Sequence, residues 1–129
     1  MAGIVLDASA LLALLRGEPS GRKVADALHG ARMSVVNHAE IVSFYAQQGS
    51  DRHAIDDMLK TLPIDLVPVD PGLAMLAGML RPITREAGLS LGDRFCLALA
   101  KREGLPAWTA DKTWKTIAAA AEVKVVVIR

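Results

Sequence analysis

Five short runs, mostly apolar rather than strictly alternating, constrain this chain most: Ile4–Leu6, Met33–Val36, Ile64–Val69, Ala107–Thr109 and Val123–Ile128. A half-solvated strand alternates apolar and polar residues, whereas an unbroken β-branched run suits a strand covered on both faces. The stretches between the runs carry helix signals. Ala10–Leu15 is almost wholly apolar, and Arg22–His29 places Val24, Ala25 and Leu28 on one face before Gly30 stops it. Asn37–Gln48 and Asp51–Leu62 form a helix pair around Gly49-Ser50. Asp70-Pro71 predicts an N-cap followed by proline at the first helical position, and Pro82 breaks or kinks the helix that starts there. Leu91–Arg102 ends before Gly104 and Pro106, and Thr113–Ala121 supplies the last crossover. Alternation of this kind predicts an α/β fold of three layers, α/β/α, with a central five-stranded parallel sheet and helices on both faces. The expected crossovers are right-handed, and ligands are expected beyond the carboxyl ends of the strands where strand order reverses.

The 129 residues suit one domain, so residues 1–129 are read as a single unit. A hydrophobic content of 52% supplies a core, and a charged fraction of 22% excludes a disordered polyelectrolyte. Cys96 is the only cysteine, which excludes an intrachain disulfide and a cysteine-rich zinc site and fits a reducing compartment. Asp7 interrupts the N-terminus before a signal-peptide apolar region forms, and no apolar run reaches the roughly 20 residues of a membrane span. The expectation is a cytoplasmic protein without membrane contact.

Three acids lie at or just past the ends of apolar runs: Asp7 in Val-Leu-Asp-Ala-Ser, Glu40 in Asn-His-Ala-Glu and Asp111 in Trp-Thr-Ala-Asp-Lys. Asp93 opens a helix in Leu-Ser-Leu-Gly-Asp-Arg-Phe. Each alone is explained as a helix cap: Asn37-x-x-Glu40 and Ser90-x-x-Asp93 resemble capping boxes, and Asp7 and Asp111 suit N-caps. With the first strand central, all four converge on one cleft. Carboxylates about 4 Å apart repel by roughly 4 kcal/mol per pair at a dielectric near 20, whereas each helix N-terminus returns only about 0.3–1 kcal/mol. A hard cation, Mg²⁺ or Mn²⁺, offsets the repulsion more fully and prefers all-oxygen ligands. An acid can cap with one oxygen and face a metal with the other, so both readings stay open.

The formal net charge is +1, but neutralising these four of the 14 acids leaves an excess of five positive charges. Much of it falls between Arg81 and Lys115, at Arg85, Arg94, Lys101, Arg102 and Lys112, a surface suited to a polyanion or simply to solvent. Other chemistries are excluded more directly. His38-x-Glu40 lacks the downstream cysteine pair of a zinc deaminase, and His29, His38 and His53 lack zinc-protease spacing. Cys96 sits in an apolar run as core, the glycines make no phosphate loop, and the stripe Leu73, Leu76, Ala77, Leu80 is core or dimer contact.

Taken together, the motifs around Asp7, Glu40, Asp93 and Asp111 resemble those of PIN-domain ribonucleases, and among them the VapC toxins of toxin–antitoxin pairs. The resemblance spans nearly the whole chain. It implies Asp7, Glu40 and Asp93 as core ligands of Mg²⁺ or Mn²⁺, with Asp111 as the fourth acid. Ser9 and Thr109 would order the carboxylates or bind phosphate. It also implies an endoribonuclease, a VapB-type antitoxin partner that obstructs the cleft, and a homodimer that becomes a heterotetramer or larger with the antitoxin. Arg85, Arg94, Lys112 and Lys115 are candidate RNA contacts, and Ile41, Phe44, Tyr45, Ile55, Met58 and Leu59 line either a partner groove or the core. One departure is that Lys112 and Lys115 stand where some relatives carry a further acid.

The expected reaction is hydrolysis of an RNA phosphodiester by a metal-activated water, leaving a 5′-phosphate and a 3′-hydroxyl. The rivals are a phospho-receiver signalling module with Asp70 as acceptor, a haloacid-dehalogenase-type phosphatase, and a PIN-like scaffold that binds RNA or protein without cutting. The first two need a second acid next to Asp7, where Leu6 and Ala8 stand and Ser9 follows.

Overall fold

The computed structural model describes residues 3–129. Five strands, β1 (Val5–Leu6), β2 (Ala31–Ser34), β3 (Ile64–Val67), β4 (Ala107–Thr109) and β5 (Val125–Val127), form one sheet. All pairings are parallel, in the order β3-β2-β1-β4-β5. The helices are α1 (Ala8–Leu15), α2 (Gly21–Ala27), α3 (Val35–Gln47), α4 (Arg52–Leu59), α5 (Pro71–Met79), α6 (Arg81–Thr84), α7 (Leu91–Glu103) and α8 (Ala118–Ala121), with a 3₁₀ turn at Lys112–Thr116.

β1 shows why its run is unbroken. Val5 and Leu6 are both fully buried but point into different cores. Val5 packs with Leu73, Leu97 and Trp114 on one side of the sheet, and Leu6 with Leu11, Met33 and Ile41 on the other. This is the three-layer arrangement the apolar pattern predicts.

The chain steps from β1 to β2 to β3, then returns across β1 to place β4 and β5 on the other side. Strand order therefore reverses beside β1, and its carboxyl end opens at the switch point. A phospho-receiver follows the order 2-1-3-4-5, so the observed order removes that rival. Asp70 is also committed elsewhere: it caps α5 through Leu73 N at 2.8 Å and pairs with Arg102 at 2.7 Å.

Several boundaries differ from the sequence expectation. β2 ends at Ser34 rather than Val36, because the Ser34 hydroxyl accepts from Val36 N at 3.2 Å and starts α3 there. The β-branched pair Val35-Val36 is thus helical, local capping overriding strand propensity. α1 likewise begins at Ala8, directly after its cap Asp7. The expected helix Thr113–Ala121 is instead a 3₁₀ turn and a separate short helix, because Trp114 is driven fully into the core. Pro82 separates α5 from α6, as expected.

Candidate active site

Asp7 leaves the centre of the sheet at the end of β1 and is 4% exposed. One oxygen caps α1 by accepting from Ala10 N at 2.8 Å. The other accepts from Thr109 Oγ1 at 2.6 Å, a bond between the first and fourth strands. Ser9 Oγ donates across both carboxylate oxygens at 2.8 and 2.9 Å and itself accepts from Ala110 N at 2.9 Å. Thr109 Oγ1 in turn accepts from Asp111 N at 3.1 Å. The two hydroxyls therefore fix Asp7 to β4 and to the turn carrying Asp111. Burial pushes the Asp7 carboxyl up to about 6 against the opposing hydrogen bonds from Thr109, Ala10 and Ser9, and Asp93 adds to the rise.

Glu40 lies on α3, near the α7 N-terminus. Asn37 is not a cap here: it sits inside α3, fully buried, and its Nδ2 donates to Glu40 Oε1 at 2.8 Å and to Gly92 O at 3.0 Å. A side chain at Gly92 would overlap the Glu40 carboxylate, so glycine there lets the carboxylate keep this position. Asp93, the next residue, forms the expected capping box: Ser90 N donates to Asp93 Oδ2 at 2.8 Å, and Asp93 N to Ser90 Oγ at 3.1 Å. Asp111 caps the 3₁₀ turn, its Oδ1 accepting from Thr113 N at 2.9 Å and Thr113 Oγ1 at 2.7 Å.

Asp7, Ser9, Glu40, Asp93 and Asp111 line one open cleft of about 660 Å³, with Phe44 and Gln47 across from them. Asp7, Asp93 and Asp111 make capping hydrogen bonds and also line the cleft, whereas Glu40 lines it from inside α3 without capping. Glu40 Oε2, Asp93 Oδ1 and Asp111 Oδ2 accept no hydrogen bond among the described residues. Burial raises the carboxyls of Glu40 and Asp93; Asp93 adds to the first and Asp111 to the second. In this arrangement no three His, Cys, Asp or Glu residues among the described residues already stand as a closed metal-binding group. The donor set nevertheless fits a hard divalent cation: four carboxylates, three with an uncommitted oxygen, and a carboxylate neighbour adding to the burial-driven rise at Asp7, Glu40 and Asp93.

The basic segment disperses into separate roles. Arg94 turns away, donating to Ala77 O at 3.2 Å. Lys101 holds Ala121 O at 3.0 Å and Arg102 pairs with Asp70. Arg85, Lys112 and Lys115 are exposed. Lys112 shares a hollow of about 470 Å³ with Ser9, Asp111 and Arg129, beside the acidic cleft. Arg129 escaped the sequence reading because only the β4–β5 pairing, which opposes Thr109 to Val127, carries it there; it also donates to Glu18 at 2.7 Å.

The helix-pair groove is real, but its lining differs from expectation. Val42, Ala46, Ile55, Leu59 and Leu66 form it with His38, Arg52 and Lys60, whereas Ile41 is core and Phe44 faces the acids. Leu73, Ala77 and Leu80 are also core, and the opposite face of α5 exposes Met75 and Met79. No helix among the described residues is long and apolar enough to cross a membrane.

Among solved structures, the chain is similar to a toxin–antitoxin complex from Klebsiella pneumoniae, with TM-score 0.76, 19% identity and 98% of each chain covered. It is similar to VapC20 from Mycobacterium tuberculosis, described as a sarcin-ricin loop cleaving toxin, with TM-score 0.72 and 18% identity over 88% of this chain and 94% of that one. VapBC-5 from the same organism, a member of the VapBC family of toxin–antitoxin systems, gives TM-score 0.67 and 23% identity over 98% and 99%. No curated protein sequence matches the chain. The family model for the PIN domain matches residues 4–120, and with that match on a five-stranded parallel sheet, the chain belongs to the PIN domain family.

Proposed function

We propose that this protein is a divalent-metal-dependent endoribonuclease, the toxin of a toxin–antitoxin pair. The observation that carries the reading is the cleft at the switch point, where Asp7, Glu40, Asp93 and Asp111 arrive from four separate parts of the chain. Asp7, Glu40 and Asp93 would hold Mg²⁺ or Mn²⁺, with Asp111 at the rim as a ligand or a guide for water. The bound ion supplies charge neutralisation at the phosphoryl oxygens and lowers the pKa of the attacking water. Ser9 and Thr109 keep Asp7 oriented through its hydrogen bonds. A rim carboxylate with an uncommitted oxygen can take the proton of the attacking water. Lys112, exposed in the hollow beside the cleft, suits the flanking phosphates of RNA, and the exposed Lys115 and Arg85 would act further along the strand. Arg94, held by Ala77 O, is the weakest of the four RNA candidates.

A protein antitoxin as partner rests on the likeness to solved toxin–antitoxin complexes, and the apolar groove between α3 and α4 offers it a seat. Homodimerisation through exposed Met75 and Met79 belongs to the same reading, as does a single domain spanning residues 1–129.

Incubation of the purified protein with total RNA tests the activity. Cleavage is expected with Mg²⁺ or Mn²⁺, to stop in excess EDTA, and to leave 5′-phosphate and 3′-hydroxyl ends. A 2′,3′-cyclic phosphate product, or undiminished cleavage in EDTA, would overturn the mechanism. Failure of metal-loaded protein to cut any RNA would favour the non-catalytic scaffold.

A further inference from the structure

We propose that Asn37 is a positioning residue of the acidic cleft, setting the Glu40 carboxylate and locking it to the helix that carries Asp93. The inference rests on the reading of the cleft as a metal centre. Asn37 is completely buried, inside α3 and one turn before Glu40. Its two amide hydrogens go to Glu40 Oε1 at 2.8 Å and to Gly92 O at 3.0 Å. Both partners can only accept, so the orientation of the amide is fixed by chemistry. That orientation leaves Asn37 Oδ1 buried with no partner among the described residues. Folding alone gains nothing from an orphaned oxygen there; an apolar side chain of the same size would fill the space without it.

The amide's gain lies between its two acceptors. Gly92 backs directly onto the Glu40 carboxylate, close enough that a Cβ would overlap it. The Asn37 NH₂ group bridges the Gly92 carbonyl and the carboxylate, donating to both. One Glu40 oxygen is thereby spent on the bridge and Oε2 is left without a protein donor. The same bridge ties α3 to the first turn of α7, where Asp93 follows Gly92. Asn37 thus sets the separation of two acids that the chain itself places far apart.

Mn²⁺ binding by the purified full-length protein, followed by electron paramagnetic resonance of the free ion, tests the role alongside the melting temperature without metal. Asn37→Leu keeps the side-chain size and removes both the donors and the orphaned oxygen. It is expected to weaken Mn²⁺ binding by about 10–100-fold, the usual effect of losing a group that orients a ligand, while the metal-free protein stays folded with only a modest fall in melting temperature, because Gly92 O loses its donor. Asn37→Ala is expected to show the same loss of affinity. In an Asn37→Leu/Glu40→Gln double variant, the loss of Mn²⁺ affinity should be smaller than the sum of the two single losses. Wild-type affinity in both Asn37 variants overturns the positioning role, as does loss of affinity only in step with loss of stability, or a fully additive double variant. Wild-type affinity in Glu40→Gln overturns the metal-centre reading itself, which separates the two failures.

Discussion

Asp7→Asn is expected to abolish RNA cleavage, by about a thousandfold or more, and at the same time to stabilise the metal-free protein at neutral pH. The two effects share one cause. Asp7 is buried at the centre of the sheet edge, and its carboxyl titrates near 6 when folded against an ordinary aspartate value of 3.8. Between those values the folded chain holds a proton that the unfolded chain has released. Stability from this group is therefore complete below about 3.8 and is lost as pH rises through about 6. Above that window the ionised group is unfavourable by about 3 kcal/mol. Asparagine removes the titration, keeps an acceptor for Ala10 N, and presents an amide to the Ser9 and Thr109 hydroxyls, which rotate to accept it. Because that exchange is imperfect, the expected gain in melting temperature is on the order of 5 °C at pH 7.5, with little change near pH 4. A divalent cation reverses the comparison. Millimolar Mg²⁺ should raise the melting temperature of the wild type through ligand linkage and leave the variant unmoved. Scanning calorimetry at two pH values, with and without Mg²⁺, reads all of this. A variant that still cuts RNA, or that responds to Mg²⁺ as the wild type does, would remove Asp7 from the site. A fall in the metal-free melting temperature at pH 7.5 would contradict the burial argument.

Trp114→Ala is expected to cost about 3–5 kcal/mol, a large part of the 5–15 kcal/mol that holds a typical small protein folded. Trp114 is the largest completely buried side chain and packs with Leu97, Ile117 and Val123 against the sheet. Its indole nitrogen has no hydrogen-bond partner among the described residues. Trp114→Phe should therefore lose packing but no hydrogen bond, and fall well short of the alanine loss. Urea denaturation monitored by circular dichroism compares the two. Equal losses for phenylalanine and alanine would mean that the indole nitrogen, rather than the packed volume, matters at this position. Trp114 also sits in the turn begun by Asp111, its backbone N–H donating to Asp111 O at 3.3 Å, and because the buried indole anchors that turn, the alanine variant should loosen the rim of the cleft as well.

Local chemistry made much of this architecture legible. Asp7, Asp93 and Asp111 are helix caps, as their neighbours in sequence indicate, and Ser90 forms the expected box with Asp93. The unbroken apolar run at β1 correctly signals a strand buried on both faces. Errors arose where a local signal had a stronger competitor close by. Val35 and Val36 look like strand until Ser34 is recognised as a cap. The spacing of Asn37 and Glu40 pairs the right residues, but they meet inside a helix and on the way to Gly92, a contact 55 residues distant. Long-range pairings carry no mark in the sequence at all. Strand order, which removed the phospho-receiver, depends on which side of β1 the chain chooses on its return. The Thr109 bond to Asp7 and the arrival of Arg129 follow only from that choice.

The reach of the Thr109–Asp7 bond across 102 positions has a consequence for how the molecule comes into being. While a ribosome is making the chain, Asp7 emerges early, but the strand that fixes its carboxylate emerges late, and the fourth acid later still. Until residues 107–111 have been made, β1 has a bare edge where β4 belongs, and the acids have no common floor. If the proposed function holds, the nascent chain would lack a complete site, and so spare its own message, until these last strands are made. The ordering of the strands acts as a delay.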